Sequence, residues 1–347
     1  MTGSQAHAFD PIPDDAATVL DPDWLEAALD VVGDGDRVVA VERAGSSRTI
    51  AEKVRFSVTV EGADGARRTY HLCAKGHFGD GFNSLITEAH AYRDLLPRLE
   101  VRAPRAYFCG IDDVTSRGLI VMDDVEELGG RFLGAAEPYS VATCRDSLAQ
   151  LAMLHAATWD DPQWDVEWCT SRIERMASFF DDATLQELLD DGRGPDLAPE
   201  LRDATTLRAA MARTAELPPT CVLHGDTHSG NAYVDVEGRV CWLDWQVTQR
   251  GHWSIDVSYH LGTVLDVETR RNHEAELLRH YLDELGSQGV DAPSFDEAWL
   301  RYTLGFTWGY FLWVITRISS RAVVLLHIPR LGAALTDHDT FRRLEGG

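Results

Sequence analysis

The period of the apolar pattern changes part-way along this chain, and that change limits the fold more than any other feature of the sequence. Residues 37–44 (RVVAVERA), 51–60 (AEKVRFSVTV) and 67–75 (RRTYHLCAK) are rich in β-branched and aromatic residues, with Gly62, Asp64 and Gly65 in the turn joining the last two. They read as an antiparallel meander. Residues 83–96 (NSLITEAHAYRDLL) then place Leu85, Ala89, Tyr92 and Leu96 at helical spacing, and Pro97 closes the segment. Strand-like runs return at 105–110 and 119–122. From residue 139 helical periodicity takes over, interrupted by one β-like island at 221–223, 232–236 and 240–243, with Glu237 and Gly238 as a tight turn. The order β-β-β-α-β-β followed by helices predicts an α+β chain. Its expected parts are a sheet unit over 1–123, an Asp-, Glu- and Gly-rich connector over 124–138, and a helical unit over 139–347. Within the first, 1–22 reads as a loose arm ahead of a helix at 24–31.

Composition narrows the function. A chain of 347 residues with 44% hydrophobic and 25% charged residues has the balance of a folded protein of about two domains. The longest strongly apolar run, 306–315, falls far short of the roughly 20 residues a bilayer needs. The polar, acidic first 24 residues carry neither a basic start nor an apolar segment, which points to the cytoplasm. A net charge of −24 repels phosphate backbones and anionic lipid, so nucleic-acid and membrane partners are not expected. No protein partner is implied either. The six cysteines are scattered without metal-type spacing and read as reduced, mostly buried thiols.

Chemistry concentrates in the β-like island. His224, Asp226, His228, Asn231 and Asp244 lie in HGDTHSGN and LDWQ, joined by short strand-like pieces suited to holding them rigidly. Carboxylate and amide oxygens are hard ligands suited to Mg²⁺. The five-residue step from Asp226 to Asn231 equals that between the catalytic Asp and the metal-binding Asn of the kinase catalytic loop, and Asp244 follows where a second metal ligand would stand.

With these motifs the sequence resembles the aminoglycoside phosphotransferase and choline kinase-like superfamily, over roughly residues 38–260. The resemblance implies a bilobal protein kinase-like fold, with a small antiparallel-sheet lobe bearing one helix and a larger helical lobe. It also implies ATP and Mg²⁺ as cofactors and a phosphoryl transfer to the hydroxyl of a small molecule, cationic acceptors included. Asp226 becomes the catalytic base, and Asn231 and Asp244 the metal ligands. Lys75, at the end of the third strand, fits the lysine that pairs the phosphates, and Glu88, on the apolar side of the following helix, is its expected partner. The loop 43–50 (RAGSSRTI) has no G-x-G-x-x-G, and the hydroxyls of Ser46 and Ser47 are its candidates for phosphate contact. Val121, Met122, Asp123 and Asp124 match the hinge that grips adenine, and His228 either faces the phosphates or braces its turn. His155 and His224 read as structural, and Asp256 as a cap or anchor beside the loop. Trp253, Trp308, Tyr310 and Trp313 stand in the acceptor lobe, but at the spacing of a buried helix face core packing is the favoured reading.

Two rival readings use the same residues. His224, Asp226 and His228 form an H-x-D-x-H pattern that, on a strand, suits a metal-dependent hydrolase. The absent Gly-rich loop suits a non-catalytic nucleotide-binding module.

Overall fold

Alternation along 52–61 turns Val54, Phe56, Val58 and Val60 inward and leaves the residues between them half-buried, the pattern of a sheet covered on one face. The computed structural model, which describes residues 11–48, 51–78, 85–137 and 139–345, builds this into five antiparallel strands. They are β1 (Arg37–Arg48), β2 (Glu52–Glu61), β3 (Arg67–Gly76), β4 (Ala106–Asp112) and β5 (Arg117–Asp123), in the order β1-β2-β3-β5-β4. The chain divides into two compact units: one runs to Arg98 and includes Pro104–Gly130, the other comprises Leu99–Ala103 and everything from Arg131.

Two expectations for the first unit need correction. The supposed loose arm is ordered over its described part: Asp15 caps α1 (Ala16–Val19), and Asp21 with Pro22 starts α2 (Pro22–Ala28). Ile12, Val19, Trp24 and Leu25 are buried in the same core as Val54, Phe56 and Leu72, and Trp24 meets Phe108 edge-on at 5.2 Å. Burial of these side chains outweighs the acidic, proline-bearing composition that suggested disorder. The phosphate loop is also shorter than expected. A register irregularity between Arg43 and Gly45 lets β1 continue to Arg48, so Ser46 and Ser47 are exposed strand residues opposite Val54 and Lys53. Thr49 and Ile50, the remainder of that loop, lie outside the described residues, as do Asn83 and Ser84 of the expected helix. That helix starts as α3 (Ile86–His90), passes through a π turn at Ala91–Leu95 and ends in a 3₁₀ turn, Leu96–Arg98, at Pro97.

The second unit contains β6 (Arg131–Phe132), α4 (Val141–Ala157), α5 (Ile173–Ser178), α6 (Asp182–Asp190) and α7 (Ala204–Ala215) before the island. The island itself is β7 (Cys221–Leu223), β8 (Ala232–Val234), β9 (Val240–Trp242) and β10 (Gln249–Gly251). Strand β8 lies between β6 and β9, while β7 pairs with β10. Gly238, at φ +78°, supplies the left-handed residue of the β8–β9 turn. Then follow α8 (Ser254–Val264), α9 (Val267–Ser287), α10 (Phe295–Leu304), α11 (Phe306–Ile315), α12 (Arg321–Asp337) and α13 (Thr340–Glu345). Among the described residues no helix is long and apolar enough to cross a membrane. All six cysteines are free thiols, four of them buried.

Candidate active site

The loop after β7 is held through its main chain. Gly225 has φ +84°, and a Cβ there would stand 2.2 Å from the Val247 carbonyl oxygen, so no other residue fits. The N–H groups of His224 and Gly225 donate to the two carboxylate oxygens of Asp256 at 2.7 and 2.9 Å, and the Gly225 carbonyl accepts from the Trp308 indole at 2.7 Å. Asp256 is fully buried in the first turn of α8, and its charge is met by these two donors together with His155 Nε2 at 3.2 Å. His155 is in turn fixed by Tyr281, whose hydroxyl lies 2.8 Å from Nδ1. His155 and Asp256 are thus the brace beneath the loop. Gly225→Ala is expected to abolish activity and lower the yield of folded protein, and circular dichroism with an activity assay checks it.

Asp226 projects from this braced loop, about a quarter exposed. Its Oδ1 accepts from the Tyr259 hydroxyl at 2.8 Å, and its Oδ2 accepts from Asn231 Nδ2 at 2.9 Å. The same Asn231 nitrogen donates to the Asp226 carbonyl at 2.9 Å, so both amide hydrogens point at Asp226 and the amide oxygen is the end available to a cation. The hairpin sets Asp244 beside it: Ala232 pairs with Trp242, and the Leu243 N–H donates to the Asn231 carbonyl at 3.0 Å. Asp244 adopts the left-handed conformation, φ 65°, and Gln246 Nε2 donates to its Oδ1 at 2.5 Å. A non-glycine residue in that region is held at a cost by its surroundings, a condition common at functional sites.

The histidines divide by role. His224 Nε2 lies 3.0 Å from the Leu243 carbonyl and its Nδ1 accepts the Asp226 N–H at 3.3 Å, while the ring packs against Trp242 and Trp245. Both nitrogens are used by the backbone, so the H-x-D-x-H metal triad does not form. Among the described residues no group of three or more His, Cys, Asp or Glu side chains could hold a metal ion. His228 braces its turn: Nδ1 accepts from the Gly230 N–H at 3.0 Å, and Nε2 lies 3.7 Å from Asp226 Oδ2.

Burial pushes His252 and His327 down to about 3, His260 down to about 4, and His224 below its ordinary value. The rings of His252, His327 and His260 stay neutral in the folded chain between pH 7 and pH 5 but take up protons on unfolding once the pH drops below about 6.5. Their contribution is complete above that pH and is lost toward the folded values. Stability in urea is therefore expected to fall between pH 7 and pH 5, by up to ~1.4 kcal/mol per pH unit for each ring. A midpoint unchanged over that interval contradicts this.

In the sheet unit, Lys75 Nζ meets Glu88 Oε2 at 2.7 Å with both side chains almost wholly buried, so the two expected partners are together. Residues 121–124, matched above to the hinge, lie in and just past β5. Strand β5 is paired on both edges, the Asp123 N–H donates to Arg105 and the Asp124 N–H to His71, at 2.9 Å each. The Asp124 carboxylate is held by Arg55 at 2.6 Å, and that of Asp123 by Tyr107 at 2.9 Å. Val121 and Met122 are buried in the sheet. These two N–H groups and two carboxylates bond within the sheet unit, where β5 lies between β3 and β4.

Trp253, Trp308, Tyr310 and Trp313 are core. Trp253 stacks on Tyr281 at 5.2 Å, and the Tyr310 hydroxyl donates to the Leu201 carbonyl at 2.7 Å. Trp313 packs against His327 at 4.3 Å and His228 at 5.1 Å.

Residues 76–301 match the model of a phosphotransferase enzyme family, a span that takes in Glu88 and the whole loop from His224 to Asp244. The chain belongs to this family. No curated protein sequence matches it. The phosphotransferase is similar in structure to choline kinase from Cryptosporidium parvum, at TM-score 0.52 and 10% identity over 96% of each chain. It is similar to choline kinase from Streptococcus pneumoniae, at 0.50 and 17%, over 86% of this chain and 94% of the other. It also resembles the GDP complex of aminoglycoside 2'-phosphotransferase-IIIa, at 0.50 and 14%, over 86% and 93%. At such identities the likeness shows the fold, which is bilobal and protein kinase-like. Family and fold together support a small-molecule phosphotransferase.

Two residues at the site escaped the sequence reading, Tyr259 and Gln246. Tyr259 follows Asp256 by three positions on α8, so both face the loop. With every residue of α8 buried, the sequence pattern alone did not mark it.

Proposed function

We propose that this phosphotransferase moves the γ-phosphate of ATP to a hydroxyl of a small molecule, with Asp226 as the base. The observation that carries the reading is the Asp226 carboxylate held between Tyr259 and Asn231 on a braced loop, with Asp244 hydrogen-bonded to Gln246 just past the end of β9. The acceptor oxygen attacks the γ-phosphorus as the bond to the β-phosphate oxygen breaks, and the hydroxyl proton passes to Asp226. Asn231 Oδ1 and the Asp244 carboxylate are hard oxygen donors that fit Mg²⁺, which would neutralise phosphate charge there. Lys75, oriented by Glu88, serves the phosphates. Ser46 and Ser47 remain candidates for phosphate contact, as their exposed hydroxyls allow. A net charge of −24 favours a cationic acceptor such as an amino sugar, aminoglycoside or amino alcohol.

The test is mass-spectrometric detection of a phosphorylated product from Mg·ATP and a panel of these acceptors, with neutral sugars alongside and chelator as a control. A product that disappears with chelator supports the reading and names the acceptor class. Binding of Mg·ATP with no product from the panel or from a cell extract favours the non-catalytic module.

A further inference from the structure

Tyr259 stands outside the motifs HGDTHSGN and LDWQ, yet its hydroxyl donates to Asp226 Oδ1 at 2.8 Å. It lies in the middle of α8, where every residue is buried, so helical periodicity does not single it out. Burial, followed by the neighbouring Asp226 charge, pushes its phenol well above the ordinary value. The phenol therefore stays protonated and keeps its role as a donor. Space for the ring is made by a neighbouring helix: a Cβ on Gly309 of α11 would come within 2.3 Å of Tyr259 Cδ2. Glycine in a helix interior destabilises it relative to alanine, and the approach of this ring is what Gly309 accommodates.

We propose that Tyr259 is a positioning residue that fixes the Asp226 carboxylate for proton acceptance, with Gly309 as the residue that lets it reach. The inference rests on Asp226 being the base. Asn231 holds Oδ2 from one side, and without a donor on Oδ1 the carboxylate could rotate about χ2 and lose its aim at the acceptor hydroxyl. Misplacement of a reacting group by a fraction of an ångström is enough to slow a step whose rate depends on orientation.

The experiment compares wild type, Tyr259→Phe and Asp226→Asn on Asp226-dependent turnover of Mg·ATP, with a panel acceptor or with water as the acceptor. Tyr259→Phe keeps the ring and loses the hydroxyl. Its kcat is expected to fall about tenfold, as for one charge-assisted hydrogen bond, while KM for ATP and for the acceptor stays within about twofold. A role confined to packing would lower the melting temperature and leave kcat of the folded enzyme unchanged. A second comparison uses Gly309→Ala, which should lower kcat when Tyr259 is present and add nothing in a Tyr259→Ala background, where the new methyl enters vacated space. Wild-type kcat in Tyr259→Phe beside an inactive Asp226→Asn overturns the positioning role and leaves the base assignment standing. Full turnover in Asp226→Asn overturns the base assignment and this inference with it.

Discussion

Asp226→Asn is expected to lower kcat by about 10²–10⁴-fold, the range a general base contributes, with little change in the affinity for Mg·ATP. The substitution is nearly isosteric. The asparagine oxygen still accepts from Asn231, and the Tyr259 hydroxyl, which donates to Oδ1 in the native chain, turns to accept from the new amide. The loop beneath is untouched, because its main chain is held by Asp256. Loss of turnover in a protein of native melting temperature therefore reports on proton acceptance. Steady-state kinetics with nucleotide binding by calorimetry checks it, and equal losses in affinity and turnover would contradict it.

Lys75→Met is expected to cost about 3–5 kcal/mol in urea unfolding of the sheet unit, because it leaves the Glu88 charge buried without its cation. Glu88→Gln alone should also destabilise. The double variant should recover most of the loss, since no charge is then stranded, and a recovery of that kind distinguishes charge burial from lost packing. Independent, additive losses would mean the two charges are not coupled. Nucleotide affinity gives a second readout: it should fall in Lys75→Met and stay low in the double variant, because restoring neutrality does not restore the phosphate contact.

Local patterning made the sheet strands, α3 and the hairpin around Asn231 and Asp244 legible, since each depends on neighbours within a few residues. The Lys75–Glu88 pair was readable because a carboxylate on the apolar side of a helix wants a cation and the motif downstream pointed to a phosphate-binding lysine at the end of the third strand. What escaped depended on distant partners. Ile12 and Val19 look like parts of an acidic arm until the core that buries them is formed. Strand β10 is three residues long and exists by pairing with β7, across the intervening hairpin. Residues 121–124 read as an extended segment, but only the strand order shows that β5, which holds the first three of them, lies between two other strands. Tyr259 stands 33 residues from the carboxylate it holds, in a helix with no exposed face to mark its direction.

Following γ-labelled phosphate from Mg·ATP tests the phosphotransferase reading most directly, with wild type and Asp226→Asn incubated alongside the acceptor panel and the products separated. The account predicts label in an organic phosphate ester for wild type and about 10²–10⁴-fold less for the variant. An ester formed at the same rate by both proteins would contradict it.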